Sequence, residues 1–352
     1  MSTAPELAPA SPTSTVKFRE DRVTSIARFR PPRSSSTQWA REQWPDLDGF
    51  TSVLGPSASQ ADVFAAVGKS IVDEVIAGKN ACLLAYGSTG SGKTHSLVGS
   101  GGGIGSSGDD AGLLPRCVNY LFDTCNAKKR AIRFRVSVTI VEIYKEQIRD
   151  LIAPDVVAAR GAAAAAAASS PKLSSLEMRE KNGVFFLPEA NIRVCSTADA
   201  VLREIKAAFD ARTTGSSHAS DVSSRAHAIA TISLVAETNV KGSAPALVLS
   251  RMSFVDLCGS EVLTDAFGAA QQSETKAINL SLFALRGVVS ALAEKASFIP
   301  YRAPRTGPST THRTEHSAPD LAAVPLRLYA ESCSLPFTRT LKCAASKERK
   351  RR

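Results

Sequence analysis

Residues 87–94 have the sequence GSTGSGKT, directly after a short apolar run at residues 81–86. The pattern GxxxxGK[ST] is that of a phosphate-binding loop, because its glycines let backbone N–H groups converge on phosphate oxygens and the following helix N-terminus adds a favourable dipole. Lys93 is expected to reach the β- and γ-phosphates, and the Thr94 hydroxyl is expected to bind Mg²⁺. The stretch predicts a buried strand, a phosphate-binding loop and a helix. The predicted nucleotide-binding residues of the loop are Gly87, Ser88, Thr89, Gly90, Ser91, Gly92, Lys93 and Thr94.

A second stretch, SFVDLCGSE at residues 253–261, is an apolar strand that ends in Asp-x-x-Gly. A carboxylate at the C-terminal end of a strand beside the loop strand can hold the water shell of Mg²⁺. Asp256 is the predicted carboxylate, and the N–H of Gly259 is placed to sense a γ-phosphate. Asp after a strand is common, so this stretch gains its meaning from the phosphate-binding loop.

A third stretch, SSRAH at residues 223–227, precedes another predicted strand. The adjacent hydroxyls of Ser223 and Ser224, followed by the guanidinium of Arg225, suit a loop that closes over Mg²⁺ and a γ-phosphate. Taken alone, the stretch is equally typical of an ordinary serine-rich strand entry. His218 and His227 have no ligand partners at metal-binding spacing, so no zinc site is predicted.

The hydrophobic periodicity predicts alternating strands and helices, and therefore a layered α/β domain with a mostly parallel or mixed sheet. The segments 99–112, 153–175 and 303–323 are rich in Gly, Ala, Ser or Pro and are predicted to be an exposed loop and two insertions. The predicted strands are 23–30, 81–86, 133–144, 228–236 and 247–257, and the predicted helices are 61–77, 200–211 and 278–292.

Composition limits the class of protein. Of 352 residues, 43% are hydrophobic and 22% are charged, and this composition excludes a chain that is disordered throughout. The sequence contains no run of about 18 apolar residues, so no membrane-spanning helix is predicted. The net charge of +10 favours a polyanionic partner. The seven cysteines form no CxxC pair, which predicts reduced thiols in the cytoplasm. Residues 1–15 are predicted to be a disordered leader and residues 347–352 a solvated basic tail.

The three stretches together resemble the P-loop, switch I and switch II of the kinesin motor family. Arg28-Phe29-Arg30-Pro31 resembles the fourth nucleotide motif of that family, which packs against adenine, and His95 follows the P-loop as in the family. The resemblance covers roughly residues 23–346. It continues between the motifs at residues 112–116, 141–151, 278–282, 298–302, 326–328 and 338–341.

The resemblance implies a P-loop NTPase with a three-layer sandwich, a motor domain at residues 16–346, and a microtubule-stimulated ATPase that moves along microtubules. It implies ATP and Mg²⁺ as cofactors, with Thr94, Ser224 and Asp256 at the metal, Asp256 through water. Ser223 and Ser224 are then expected near the lytic water, and Arg225 is expected to pair with Glu261. Microtubules are the implied partner, rather than nucleic acid or a membrane, and the implied location is the cytoskeleton of the cytoplasm.

Several residues depart from the family pattern. Fewer positive charges near an acidic filament predict weaker attraction, most visibly at low salt. No heptad repeat follows residue 346, where the family has its last motor helix, neck and stalk, so a monomer is expected. The departures are Ser88 for Gln, Ser220 for Asn, Ala226 for Ser, Leu280 for Lys, Arg286 for Gly, and a segment 262–275 without Lys or Arg.

Two other functions remain open at this point. A non-motile, degenerate kinesin-like protein that binds microtubules and turns ATP over weakly is consistent with the departures. An unrelated P-loop GTPase or small-molecule kinase is disfavoured, because no Asn-Lys-x-Asp element for guanine occurs and such an enzyme leaves the other two stretches unexplained.

Overall fold

The computed structural model of the chain describes residues 22–30, 50–100, 108–128, 132–144, 147–153, 175–181, 184–214, 225–238, 246–260, 269–294, 296–300 and 337–344. Four predicted site residues, Pro31, Ser223, Ser224 and Glu261, lie outside these ranges. So do the predicted leader, the basic tail, segment 303–323 and nearly all of segment 153–175.

The described residues form eleven strands and six α-helices. Helices α1 and α2 are joined by a single π-helical turn at Phe64–Gly68. The strands are β1 (Arg22–Phe29), β2 (Ser52–Leu54), β3 (Ala81–Tyr86), β4 (Ile132–Tyr144), β5 (Gln147–Asp150), β6 (Arg179–Lys181), β7 (Val184–Phe186), β8 (Arg193–Cys195), β9 (His227–Thr238), β10 (Ala246–Asp256) and β11 (Phe337–Ala344). The helices are α1 (Gln60–Val63), α2 (Lys69–Ile76), α3 (Lys93–Leu97), α4 (Leu113–Lys128), α5 (Ala198–Thr214) and α6 (Ala269–Ala293).

One mixed sheet organises the domain. Its strand order is β2-β1-β11-β3-β10-β9-β4-β5, with β8 also paired to β4. Pairing is parallel from β2 to β10 and antiparallel from β10 to β5 and β8. The prediction of a mixed sheet is therefore confirmed, although parallel pairing is confined to one half of it.

Helices cover both faces of this sheet. Alternate strand residues point to opposite sides, so buried apolar residues on both sides need a covering layer. On β3, Leu83 belongs to one core and Leu84 to the other, and both are buried. The first core contains residues of α1, α2, α4 and α5, and the second contains Leu282, Leu285, Val288 and Leu292 of α6. The domain is thus a three-layer α/β sandwich, as predicted.

Two predicted boundaries are wrong. Helix α6 begins at Ala269, nine residues before the predicted start at residue 278, so part of the segment 262–275 is helical. Its first turns, AAQQSETK, contain good helix formers but no apolar spacing, so the periodicity gave no signal. The predicted exposed loop at 99–112 has a closely packed base: Gly99 pairs with Ala111, and Ala111 is buried.

Within the described residues, no helix is both long and apolar enough to cross a membrane. The same residues contain no group of three or more His, Cys, Asp or Glu side chains that could hold a metal ion. Cys82, Cys117, Cys125, Cys195 and Cys258 are free thiols, and all five are buried.

Candidate nucleotide site

The glycine-rich loop lies between β3 and α3, at the carboxyl end of a parallel strand. Gly90 and Gly92 have φ of +74° and +98°, a left-handed conformation that favours glycine. The Lys93 side chain is buried, and its Nζ donates to the carbonyl oxygens of Gly87 at 3.0 Å and Ser88 at 3.1 Å. The lysine therefore folds back over its own loop, which keeps the ammonium at the mouth of the loop where phosphate oxygens can replace the carbonyls.

Asp256 ends β10, the strand that pairs in parallel with β3, so it lies beside the loop. The Thr94 hydroxyl donates to Asp256 Oδ2 at 2.7 Å. The other carboxylate oxygen, Oδ1, is buried without a hydrogen-bond partner among the described residues. The structure thus brings together two of the three predicted metal-binding residues. A hydroxyl and a carboxylate oxygen are the ligands that Mg²⁺ prefers, so this pair fits the ion.

Behind Asp256 lies a buried network that the sequence analysis missed. Arg212, near the end of α5, lies 3.6 Å from Asp256 Oδ2 through Nη1 and 3.0 Å from Glu142 Oε1 through Nε. Its Nη2 also donates to the carbonyl of Ala226 at 3.2 Å. The side chains of Arg212 and Glu142 are only 4% and 7% exposed. One signal was available: Glu142 is a charged residue within the apolar run of a predicted central strand.

The fourth nucleotide motif borders the opposite side of the loop. The Arg28 guanidinium is buried and donates to Gln60 Oε1 at 3.0 Å and to Ser96 Oγ at 2.7 Å. Arg30 donates to the carbonyl of Gly90. These bonds tie strand β1 to helices α1 and α3 and to the loop. Both arginines therefore contact the nucleotide loop or its helix directly, while their packing against adenine stays a prediction.

His95 is held by Gln60, a residue that the sequence analysis did not single out. Gln60 Nε2 donates to the His95 carbonyl at 2.7 Å and lies 3.1 Å from His95 Nε2. Because Gln60 Oε1 accepts from Arg28, the amide nitrogen is the donor, so the proton of the neutral ring lies on Nδ1, 3.1 Å from Ser100 Oγ. Desolvation, followed by the charge of Arg28, lowers the pKa of His95. The ring is therefore neutral at physiological pH.

The loop after β10 runs beside the P-loop. Leu257 N–H donates to the Ala85 carbonyl at 3.3 Å, and Ser260 N–H donates to the Gly87 carbonyl at 3.2 Å. Gly259 is buried in this loop. Arg225 is partly buried just before β9, but its expected partner Glu261 lies outside the described residues. The pairing of Arg225 with Glu261 therefore stays a prediction.

Ten of the predicted site residues line one cavity of about 940 Å³, which is large enough for a nucleotide. The Ser91 hydroxyl is buried at the loop without a hydrogen-bond partner among the described residues. Predicted residues that line the cavity are Arg28, Arg30, Thr89, Gly90, Ser91, Gly92, Lys93, Thr94, His95 and Asp256.

A glycine-rich loop between strand and helix, with an aspartate at the end of the neighbouring parallel strand, defines the class of P-loop nucleotide-binding proteins. Within that class, the family model described as the kinesin motor domain matches residues 10–305. The chain belongs to the kinesin family.

Plant relatives and solved structures agree with this assignment. The kinesin-like protein KIN-14P of Arabidopsis thaliana is 34% identical over 73% of this chain, and KIN-14Q of the same species is 36% identical over 72%. These matches cover 24% and 19% of the relatives, so the chain spans about a quarter of their length or less. The structure of a fast kinesin, at 24% identity, superposes with a TM-score of 0.69 over 92% of this chain and 85% of that chain. A structure of kinesin 6, at 20% identity, gives 0.68 over 93% and 94%. Both structures share the fold.

Proposed function

We propose that this chain is a microtubule-stimulated ATP hydrolase that couples hydrolysis to movement along microtubules. The observation that carries the proposal is the contact between Thr94 and Asp256 at the mouth of the P-loop, with one buried carboxylate oxygen left without a partner in the described part of the chain. A chain of the kinesin family needs this pair to hold Mg²⁺ beside a nucleoside triphosphate.

In this proposal the P-loop residues 87–94 cradle the phosphates, and Lys93 neutralises charge on the β- and γ-phosphates. Thr94 and Asp256 hold Mg²⁺, Asp256 through water, and the ion supplies further neutralisation of the charge that develops on the phosphates. Arg28, Arg30 and His95 line the side of the cavity that is proposed to accept the base, and Pro31 is proposed to bind the nucleotide with them. Hydrolysis then depends mainly on positioning and on charge, because the protein forms no covalent bond to the phosphate.

The switch residues complete the site when the γ-phosphate is present. Ser223 and Ser224 are proposed near Mg²⁺ and the attacking water, Gly259 senses the γ-phosphate, and Arg225 pairs with Glu261 in the closed state. The substitution Glu261→Ala should leave ATP affinity largely intact and slow hydrolysis, because only the closed state is weakened. Equal losses in ATP affinity and in single-turnover hydrolysis would contradict the role of Glu261.

The net charge of +10 supports an acidic filament as partner, in the cytoskeleton of the cytoplasm. Helix α6 is proposed to lie on tubulin, and it carries Leu280 where the family has Lys, with 44% of that residue exposed. The binding surface therefore has one charge fewer at this position, which predicts a lower association rate at low salt than in a Leu280→Lys variant. None of the described contacts favours the alternative of a non-motile protein with weak turnover.

Microtubule co-sedimentation tests the proposal. The chain should bind more tightly with a non-hydrolysable ATP analogue than with ADP, because the γ-phosphate sets the switches. A Lys93→Ala variant serves as the control, since its binding should no longer depend on the nucleotide. Binding that is the same with both nucleotides, together with no ATP turnover, would overturn the motor function.

A further inference from the structure

One buried histidine joins three elements around the nucleotide site. His227 is the first residue of β9 and is only 5% exposed. Its Nδ1 accepts a hydrogen bond from the backbone N–H of Cys258 at 3.1 Å, in the loop Leu257–Ser260 that follows β10. Its Nε2 lies 3.1 Å from the hydroxyl of Ser281 on α6 and 3.5 Å from the Sγ of Cys258. The ring therefore connects the strand after switch I, the loop of Gly259 and helix α6.

The two bonds fix the protonation of the ring. Because Nδ1 accepts from a backbone N–H, the proton of the neutral ring is on Nε2, and this N–H donates to Ser281 Oγ. Burial, followed by the charges of Arg212 and Lys93, lowers the pKa of His227 to about 4. The imidazole is thus neutral at physiological pH, with one nitrogen accepting and the other donating.

The position of Cys258 gives this contact its importance. Cys258 lies two residues after Asp256 and directly before Gly259, so the loop that would respond to the γ-phosphate carries the N–H that His227 accepts. Helix α6 otherwise contacts this region through apolar side chains such as Leu282 and Leu285. Apolar contacts are non-directional, whereas a hydrogen bond weakens steeply with distance and angle. The path through His227 is therefore a directional connection between this loop and α6.

We propose that His227 is a positioning residue through which movement of the loop Leu257–Ser260 reaches helix α6 when the nucleotide changes. The inference rests on the proposed function, because α6 is the helix proposed to lie on the microtubule. The ring touches neither the nucleotide cavity nor the Thr94–Asp256 pair, so its contribution is to coupling and not to ATP affinity.

Two isosteric substitutions separate the two bonds. In His227→Asn, the amide oxygen can replace Nδ1 and keep the Cys258 bond, while the bond to Ser281 is lost. In His227→Gln, the amide nitrogen can replace Nε2 and keep the Ser281 bond, while the bond from the backbone N–H of Cys258 to Nδ1 is lost. Ser281→Ala removes the second bond from the other side. Thr231→Ala is the matched control, since Thr231 lies on the same strand but bonds Ser253 on β10 at 3.1 Å.

Hydrogen exchange, read by mass spectrometry over residues 279–292, tests the inference without microtubules. Exchange in the wild-type chain should differ between ADP and a non-hydrolysable ATP analogue. Each His227 variant, and Ser281→Ala, should reduce that difference by more than half while ATP affinity stays within about twofold. Combining His227→Asn with Ser281→Ala should cause no further loss, because each substitution removes the same hydrogen bond, that between His227 and Ser281. Thr231→Ala should retain the wild-type difference.

Microtubule stimulation of ATP turnover is the second measurement. The variants should lose about three- to tenfold in stimulation, the range expected for one lost hydrogen bond. The inference is overturned if α6 exchange in the wild type does not depend on the nucleotide, if the variants retain the wild-type difference, or if Thr231→Ala causes the same loss. A wild-type chain with nucleotide-dependent exchange but no microtubule stimulation would contradict the proposed function alone. Should a His227 variant fail to fold, Ser281→Ala decides the question.

Discussion

The P-loop and the Asp256 cluster, which comprises Thr94, Glu142, Arg212 and Asp256, meet at the same cavity but are built differently. The P-loop is contiguous, and Lys93 bonds carbonyls only five and six residues away. The cluster joins residues of α3, β4, α5 and β10, and its Thr94–Asp256 bond spans 162 positions of sequence. One region is set by local sequence, and the other exists only in the folded sheet.

Because of this difference in construction, substitutions in the P-loop should affect mainly nucleotide binding, and substitutions in the Asp256 cluster should affect mainly stability. The Lys93 ammonium is bonded to backbone of its own loop, so its removal affects mainly phosphate binding. Arg212 and Glu142 are buried charges that pair with each other, and Arg212 also pairs with Asp256. Removing one of them leaves a charge buried without compensation, which costs stability. Substitutions in the two regions should therefore have different consequences.

The largest effect on stability is expected for Glu142→Ala. This change leaves the Arg212 guanidinium with less compensation in a buried site, and should lower the free energy of unfolding by about 3–5 kcal/mol. Glu237→Ala is the control, because Glu237 pairs with the exposed Arg133 at 3.8 Å and its loss should cost less than about 1 kcal/mol. Urea unfolding measures both. Equal costs would mean that burial of the cluster contributes nothing.

For the P-loop, Lys93→Ala should lower ATP affinity by at least about a hundredfold, because a charged donor to the phosphates is lost. The free energy of unfolding should change little. Lys206→Ala is the matched control, since Lys206 lines the same cavity but is half exposed and pairs with Asp210. Equilibrium titration with a fluorescent ATP analogue measures both. Retained affinity in Lys93→Ala would show that residues 87–94 are not a phosphate-binding loop.

A smaller effect is expected for the backbone of the P-loop. Gly92 has φ of +98°, and nothing lies within 4 Å of an added Cβ, so Gly92→Ala introduces conformational strain without a clash. The expected cost is about 1–2 kcal/mol of stability. Gly55→Ala, where space is also open and φ is not in the left-handed region, should cost almost nothing. Thermal unfolding of the two variants distinguishes strain from simple loss of glycine.

The last prediction concerns pH. Because the pKa of His227 falls from the ordinary 6.5 to about 4 on folding, the unfolded chain binds more protons between these values. The contribution of this group to the free energy of unfolding is therefore fully present above about pH 6.5. It decreases as the pH is lowered toward 4, by at most about 1.4 kcal/mol per pH unit. Urea unfolding at pH 7 and pH 5 should show a larger loss for the wild-type chain than for His227→Gln. An equal loss would contradict a neutral buried ring.

Much of the fold was predictable because its signals are local. The apolar run of β3 and the alternation of β4 and β10 are each visible within a few residues of sequence. The contacts of the P-loop lie within its own motif. The start of α6 was missed because its first turns lack apolar spacing. Gln60, Glu142 and Arg212 were missed because each acquires its role only through pairing with residues brought near by the fold.

The central claim is that this P-loop site turns over ATP under the control of a filament. Steady-state ATP hydrolysis at low salt, with and without polymerised tubulin, tests it most directly. The account predicts stimulation well above the basal rate, despite Leu280 within the proposed contact helix. Basal turnover that microtubules leave unchanged would contradict it, because an active nucleotide site would then be uncoupled from the filament.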